Sequence, residues 1–186
     1  MRMLLVLLLT LPVRWVIAQP PAEEAPHTAY AVNEDIGLAM SKVQIMQAVS
    51  DAWGASFAQE PGAQLGTLDS ESGLIEGQAR VNYRSKLLTG REETMGTVSY
   101  RVTIQARNGQ CSVRVHDLRH TGNRGAIGGG IHAGPILEGL VPDKGYPGMG
   151  LGASRRIHAD IRSTADARIR EAIRRFAARL RTLAGE

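Results

Sequence analysis

Three consecutive runs of alternating residues between Leu74 and Thr121 constrain the fold more than any other feature of the chain. Successive side chains of a β-strand point to opposite faces of a sheet, so a period of two predicts strands with one buried and one wet face. The apolar and small residues, which we place on the buried face, are Ile75, Gly77, Ala79, Val81, Tyr83, Gly96, Val98, Tyr100, Val102, Ile104, Ala106, Cys111, Val113 and Val115. Asn108-Gly109 lies between the second and third runs and predicts a tight hairpin, because a type I′ turn needs positive φ at both central residues. The sequence therefore predicts three consecutive antiparallel strands.

A helix signal precedes these strands. Ser41 and Gln44 match a capping box, in which the two side chains bond the orphan amides at the start of a helix. Apolar residues then recur at three- and four-residue spacing, at Val43, Met46, Val49, Trp53 and Phe57, and we interpret Trp53 and Phe57 as core residues. Two further short strands are predicted, an edge strand at Tyr30–Val32 and a strand at Gln64–Leu68.

The end of the chain, from Ser154 to Leu183, predicts one long amphipathic helix. Its apolar stripe consists of Ile157, Ile161, Ala165, Ile169, Ile173, Phe176, Leu180 and Leu183. Its other faces carry nine arginines against three acidic residues. Such a basic helix can lie on an anionic membrane or bind an acidic partner. The apolar sheet face needs a cover, however, so we expect the stripe to pack there.

Several of these features together resemble a known family. They are Ser41-Lys42 at a helix start, Trp53, Phe57, Asp69, Gly73 to Gly77, Tyr100 to Ile104, and Asn108-Gly109. In this order they resemble a family of secreted bacterial domains of unknown function with a fold like that of the TATA-box-binding protein (TBP-like). The resemblance covers residues 30–121 and, loosely, the last helix. It implies an α+β fold: a curved antiparallel sheet of about four strands, with an N-terminal and a long C-terminal helix on one face. It implies no catalytic residues, and the fold name does not imply DNA binding.

The N-terminal residues predict export. Arg2 followed by an apolar run from Leu4 to Val13, with small or apolar residues up to Ala18, is typical of a secretory signal peptide and too short for a spanning helix. We expect a secreted or periplasmic protein with residues 1–18 as signal peptide, 19–29 as flexible leader and 30–186 as one domain. Loss of the two arginines of the signal peptide leaves 20 basic against 18 acidic residues. With so small a net charge, we expect no nucleic-acid partner. Cys111 is the single cysteine, so no internal disulfide can form.

Residues 122–152 contain 11 glycines and no periodicity, which predicts a long mobile loop. The spacing G-x-G-x-x-A occurs twice, at 128–133 and 148–153. A dinucleotide loop with this spacing needs a preceding strand and a following helix, and neither copy has both in its pattern. We therefore expect no nucleotide and no other cofactor.

The wet face of the sheet is the candidate binding surface. Its side chains are Glu76, Gln78, Arg80, Asn82, Arg84, Thr97, Ser99, Arg101, Thr103, Gln105, Ser112, Arg114 and His116. We name as candidate ligand-binding residues Arg80, Arg84, Arg101, Arg114 and His116. Guanidinium groups suit carboxylates and phosphates, so an acidic protein or an anionic glycan of the cell envelope is the expected partner. The sequence thus favours a non-enzymatic binding module, and a merely solvated surface is the alternative.

Two other readings stay open. His116, Asp117, His120 and His132 could form the site of a small hydrolase or metal-dependent enzyme. Histidines four residues apart on a regular strand lie about 13 Å from each other, so this site needs a bend after His116. Alternation is lost at Asp117-Leu118, which predicts a bulge or the end of the strand there. A structural subunit that assembles through the sheet is the third reading.

Overall fold

The computed structural model describes residues 29–88, 92–126 and 129–186. The predicted signal peptide, and the leader up to residue 28, lie outside the described residues. The described strands are β1 (Val32–Gly37), β2 (Gln64–Asp69), β3 (Leu74–Tyr83), β4 (Gly96–Arg107), β5 (Gln110–Gly122) and β6 (Gly134–Pro135). The helices are α1 (Lys42–Gly54) and α2 (Leu151–Ala184), with 3₁₀ turns at Phe57–Gln59 and Glu92–Thr94.

The strands form one antiparallel sheet in the order β1-β5-β4-β3-β2. Ile104 pairs with Ile75 on one side and with Val113 on the other, so the three predicted strands are consecutive neighbours as expected. Gly109 has φ 79° at the predicted tight turn, but Asn108 does not have positive φ, so the turn is not of the predicted type I′. The sheet has six described strands rather than about four, because β1 and β2 both flank the three central strands and β6 adds to the C-terminal part of β5. The first strand is Val32–Gly37, not Tyr30–Val32, because its pairing partner on β5 spans Gln110 to Val115.

Both helices pack on the same face of this sheet, which confirms the predicted TBP-like α+β class. Ser41 caps α1 through the expected capping box with Gln44. Trp53 of α1 lies directly over Gly77 of β3: a Cβ at position 77 would come within 2.5 Å of the indole. Phe57 stacks on Trp53 at 5.0 Å and meets Phe176 of α2 at 5.9 Å, so the aromatic residues join both helices in one core.

Helix α2 begins at Leu151, three residues before the predicted start. Ser154 does not cap it: the buried hydroxyl donates to the Gly150 carbonyl at 3.1 Å and accepts from the Tyr146 amide at 2.8 Å. The apolar stripe is buried from Ile157 to Leu180, while Leu183 is 39% exposed in the last turn. Among the described residues, no helix is both long and apolar enough to cross a membrane.

Most arginines of α2 have intramolecular partners. Arg168 and Arg175 pair with the buried Glu60, and the other pairs are Arg170 with Asp166, Arg174 with Glu171, and Arg179 with Asp51. Arg162 lies over the Tyr30 ring. These contacts balance much of the positive charge of α2 within the molecule, so the basic face does not require an anionic membrane.

The Gly-rich segment packs against the sheet more closely than its sequence indicates. Ile131 and Ile136 are 3% and 2% exposed, and Ile136 N–H donates to the Leu118 carbonyl. Gly122 and Gly130 have no room for a side chain against neighbouring backbone. Sequence periodicity cannot signal such backbone contacts, and the mobility of residues 122–152 stays a prediction. No strand is described between Pro135 and Gly148, so the second G-x-G-x-x-A copy lacks the strand that leads directly into a dinucleotide loop.

Candidate functional site

The sheet face opposite the helices carries the predicted polar side chains in cross-strand rows. One row joins Gln78, Arg101 and His116, and the neighbouring row contains Thr103 and Arg114. Arg80, Arg101 and Arg114 are exposed on this face. Arg84 lies one residue beyond the end of β3, so of the candidate residues it alone is outside the strands.

A β-bulge divides this face. The pairing of β4 with β5 shifts register between Ser99 and Arg101, and Asp117 on β5 has φ 56°. Asp117 is the single described non-glycine residue with positive φ, and aspartate tolerates this left-handed region better than most residues. After the bulge, every later side chain of β5 points to the sheet face opposite to the one that regular alternation predicts. As a result the exposed Arg119 joins the polar face, which regular alternation from His116 would not have placed there.

The bulge also assembles a hydrogen-bonded chain of side chains. His116 Nε2 lies 2.9 Å from Thr103 Oγ1, and His116 Nδ1 lies 3.3 Å from Asp117 Oδ2. Arg101 Nε lies 3.8 Å from the same carboxylate oxygen. The carboxylate at Nδ1 favours a proton on that nitrogen, so Nε2 is left to accept from the threonine hydroxyl.

Two hollows flank this chain and share Gln78 and Arg101. One, of about 290 Å³, lies towards β2 and includes Gln64, Glu76 and Thr103. The other, of about 410 Å³, lies towards β6 and is lined by Ala29, Asp117, Arg119, Pro135 and Leu137, among others. Together they form a groove across the polar face, which we call the sheet groove. Its β2 end carries Glu76, whereas Arg101 and Arg119 make its β6 end positive.

The predicted histidine cluster is wrong in its composition. His116 and Asp117 lie on the polar face, but the bulge turns His120 into the core, where it is 2% exposed and meets the Tyr83 ring edge-on at 5.6 Å. Burial, with smaller contributions from His132 and His158, lowers the pKa of His120 to about 4.

His132 is exposed, and its Nδ1 accepts from the Gly122 amide. In the described parts of the chain, no group of three or more His, Cys, Asp or Glu residues is placed to hold a metal ion.

Cys111 is buried on the helix side of β5. Burial raises its pKa to about 12, so the thiolate that acts as a nucleophile is essentially not populated at neutral pH.

Comparison with known proteins bears on the fold. No family model matches the chain, and no curated protein matches its sequence. A DUF4468 family protein from Bacteroides ovatus is similar in structure, with a TM-score of 0.50, 14% identity, and coverage of 78% of this chain and 85% of that one. The likeness confirms the fold. A TBP-like protein from Parabacteroides distasonis is more distant, with a TM-score of 0.39, 15% identity, and coverage of 51% and 58%.

Proposed function

We propose that this protein is a binding module whose sheet groove holds an anionic ligand. The observation that carries the proposal is the position of Arg101, whose side chain is 72% exposed where the two hollows meet. Its described ionic contact is a single distant one, with Asp117 at 3.8 Å, so its N–H groups are free to form the paired hydrogen bonds that a carboxylate or phosphate accepts.

The surroundings of Arg101 support this choice of ligand. Arg119 lines the same hollow, and Arg80 and Arg114 are exposed nearby on the face. Amide and hydroxyl groups, such as those of Gln78 and Ser99, line the groove and can bind the ligand's polar groups. With a signal peptide at residues 1–18, the ligand would be an acidic protein or an anionic glycan of the cell envelope.

Binding to two polyanions tests the proposal. Poly-glutamate and a sulfated dextran, each fluorescently labelled, would be titrated at low and moderate salt against the wild type and a double variant, Arg101→Gln with Arg119→Gln. Affinity for at least one probe should fall tenfold or more in the double variant. The wild-type affinity should also weaken with salt, because exposed charges are screened over about 8 Å at physiological ionic strength.

The matched control is Arg156→Gln with Arg181→Gln, which removes the same charge from exposed positions on α2. Its affinity should stay within twofold of the wild type. Equal losses in both double variants would mean non-specific attraction to net charge, and no loss in either would mean that the sheet groove is only solvated.

One observation favours ester hydrolysis as a second candidate function. The side chains of Asp117, His116 and Thr103 are linked in the order that activates a hydroxyl nucleophile. In such a reaction His116 Nε2 would take the proton of Thr103 as its Oγ1 attacks the ester carbonyl, and would give it to the alcohol oxygen as the C–O bond of the ester breaks. A water deprotonated by His116 would then hydrolyse the acyl-threonine, which releases the acid and restores Thr103.

The test is turnover of 4-nitrophenyl acetate by the wild type, Thr103→Val and the control Thr97→Val. Thr97 lies on the same strand and face, without a histidine contact. Activity that disappears with Thr103→Val and persists with Thr97→Val supports hydrolysis, and activity that survives Thr103→Val excludes it.

A further inference from the structure

A third hollow lies on the other side of the molecule, at the N-terminal half of α2. Its volume is about 440 Å³, within the range of small-molecule sites. One helical face of α2 forms its floor through Arg155, His158 and Arg162, spaced by three and four residues. Leu140 and Val141 form the opposite wall, and Tyr30 also lines it. We call it the α2 hollow.

His158 is the unusual residue of the α2 hollow. It is 5% exposed, yet its Nε2 has no hydrogen-bond partner among the described residues. A buried polar atom without a partner is rare in folded proteins, so an unpaired ring nitrogen here needs an explanation. Burial, and then the positive charge of Arg162, lower the pKa of His158, which favours the neutral ring with a single N–H donor.

The two arginines have donors to spare. Arg155 Nε donates to the Pro142 carbonyl at 3.2 Å, and the Arg162 guanidinium lies 5.2 Å from the centre of the Tyr30 ring. Their terminal nitrogens have no hydrogen-bond acceptor within the described part of the chain. The acidic residue beside them, Asp166, is already engaged, because it accepts from the Tyr30 hydroxyl and pairs with Arg170 at 2.9 Å.

The wall opposite the arginines is apolar. Val141 is 54% exposed, so a large part of an aliphatic side chain faces water there. A ligand that covered Val141 and Leu140 would remove this apolar surface from water, which favours binding. The α2 hollow thus combines a cationic floor with an apolar wall.

We propose that the α2 hollow binds a small amphiphile, a phosphate monoester or carboxylate carrying a short apolar chain. The anionic head lies between Arg155 and Arg162 and accepts a hydrogen bond from His158, and the chain covers Leu140 and Val141. The proposal is independent of the sheet groove, because the α2 hollow shares no lining residue with it. The same head and chain occur in a free solute and in a membrane lipid, so the test has an arm for each.

The first arm is calorimetric titration of the whole protein without residues 1–18. The titrants are n-hexyl phosphate, inorganic phosphate and 1-hexanol. Hexyl phosphate should bind one to one and at least tenfold more tightly than either fragment. Arg155→Gln should weaken it about tenfold, and Arg155→Gln with Arg162→Gln further. Arg156→Gln, the adjacent arginine outside the hollow, is the control and should change affinity less than twofold.

Arg162 packs on Tyr30, so its replacement could disturb folding; Arg155→Gln, whose contacts are exposed, keeps the test decisive. A second readout is the ring nitrogen spectrum of ¹⁵N-histidine protein, in which the His158 signals should shift on addition of hexyl phosphate. Binding no tighter than that of inorganic phosphate, or equal binding by wild type and Arg155→Gln, would overturn the proposal.

The second arm is co-sedimentation with vesicles of phosphatidic acid in phosphatidylcholine. If the wild type sediments with these vesicles, Arg155→Gln does not and Arg156→Gln still does, the ligand of the α2 hollow is a lipid headgroup. Binding of hexyl phosphate without retention on vesicles assigns it to a free solute. Absence of both contradicts the site.

Discussion

At the scale of single residues, Asp117 decides what the polar face carries. Its φ of 56° lets β5 gain one residue against β4, and this sends Arg119 outward and His120 inward. The loss of alternation at Asp117-Leu118 is visible in the sequence, so the bulge could be predicted. Which sheet face the later residues take could not be predicted, because a blurred pattern does not tell how the alternation resumes. For that reason the sequence does not indicate Arg119 as part of the polar face, and it leaves open a site that joins His120 to His116.

Substitution of Asp117 tests this backbone conformation. Asp117→Val should lower the free energy of unfolding by roughly 1–2 kcal/mol, because a β-branched side chain clashes in the left-handed region. Asp117→Gly should cost less than Asp117→Val, since glycine adopts positive φ freely and the exposed ion pairs of Asp117 contribute little. Denaturant titration of the three proteins measures both. Equal stability of the Val and Gly variants would contradict the bulge geometry.

The buried His120 predicts how stability depends on pH. Its folded pKa of about 4 lies below the ordinary value near 6.5, so only the unfolded chain gains this proton as the pH falls through that window. Stability should therefore be complete above about pH 6.5 and decrease by about 3 kcal/mol towards pH 4 through this group.

His120→Gln removes the titration while retaining a polar side chain. Unfolding free energies of wild type and His120→Gln would be compared from pH 7 to pH 4, so that the carboxylates common to both cancel in the difference. The wild type should lose more stability than the variant over this range. Parallel curves would show that His120 takes up its proton as readily in the native protein as in the unfolded chain.

At the scale of elements, α2 is fixed to the rest of the molecule by a buried carboxylate as well as by its apolar stripe. The Glu60 side chain is 2% exposed, directly after the 3₁₀ turn at Phe57–Gln59, and it pairs with Arg168 at 3.1 Å and Arg175 at 3.4 Å. The stripe could be predicted from its helical period. These ion pairs could not, because their partners are more than a hundred residues apart in sequence.

Glu60→Gln should destabilise the protein by about 1–3 kcal/mol, the range of a charged hydrogen bond, because both arginines remain partly accessible to water. The control, Glu171→Gln, breaks an exposed pair with Arg174 on the same helix and should change stability by less than about 0.5 kcal/mol. Thermal or denaturant unfolding separates the two. A Glu60→Gln protein as stable as Glu171→Gln would mean that the apolar stripe alone holds α2.

Other elements show where sequence patterns stop being informative. Period-two alternation predicts β3, β4 and β5, and the capping box predicts the start of α1. The two-residue strand β6 has no period to detect, and it forms where glycine-rich backbone lies against β5. The β6 end of the sheet groove depends on this strand and on a bridge between Ala29 and Leu137, so the groove is a product of tertiary packing.

At the scale of the whole molecule, the two faces of the sheet differ in what covers them. Helices α1 and α2 bury one face, and many arginines of α2 are paired with its own or neighbouring carboxylates. On the other face Arg80, Arg101, Arg114 and Arg119 are exposed around the sheet groove. Opposite the helices, positive charge is therefore available to an outside partner at the sheet groove, as it is at Arg155 and Arg162 in the α2 hollow.

The most direct test of this account is an NMR map of the arginine side chains during titration with poly-glutamate. If the sheet groove is the binding surface, the Nε–Hε signals of Arg101 and Arg119 should shift first and saturate together, while those of Arg156 and Arg181 on α2 stay in place. Shifts confined to the α2 arginines, with Arg101 and Arg119 unchanged, would contradict the sheet groove as the binding surface.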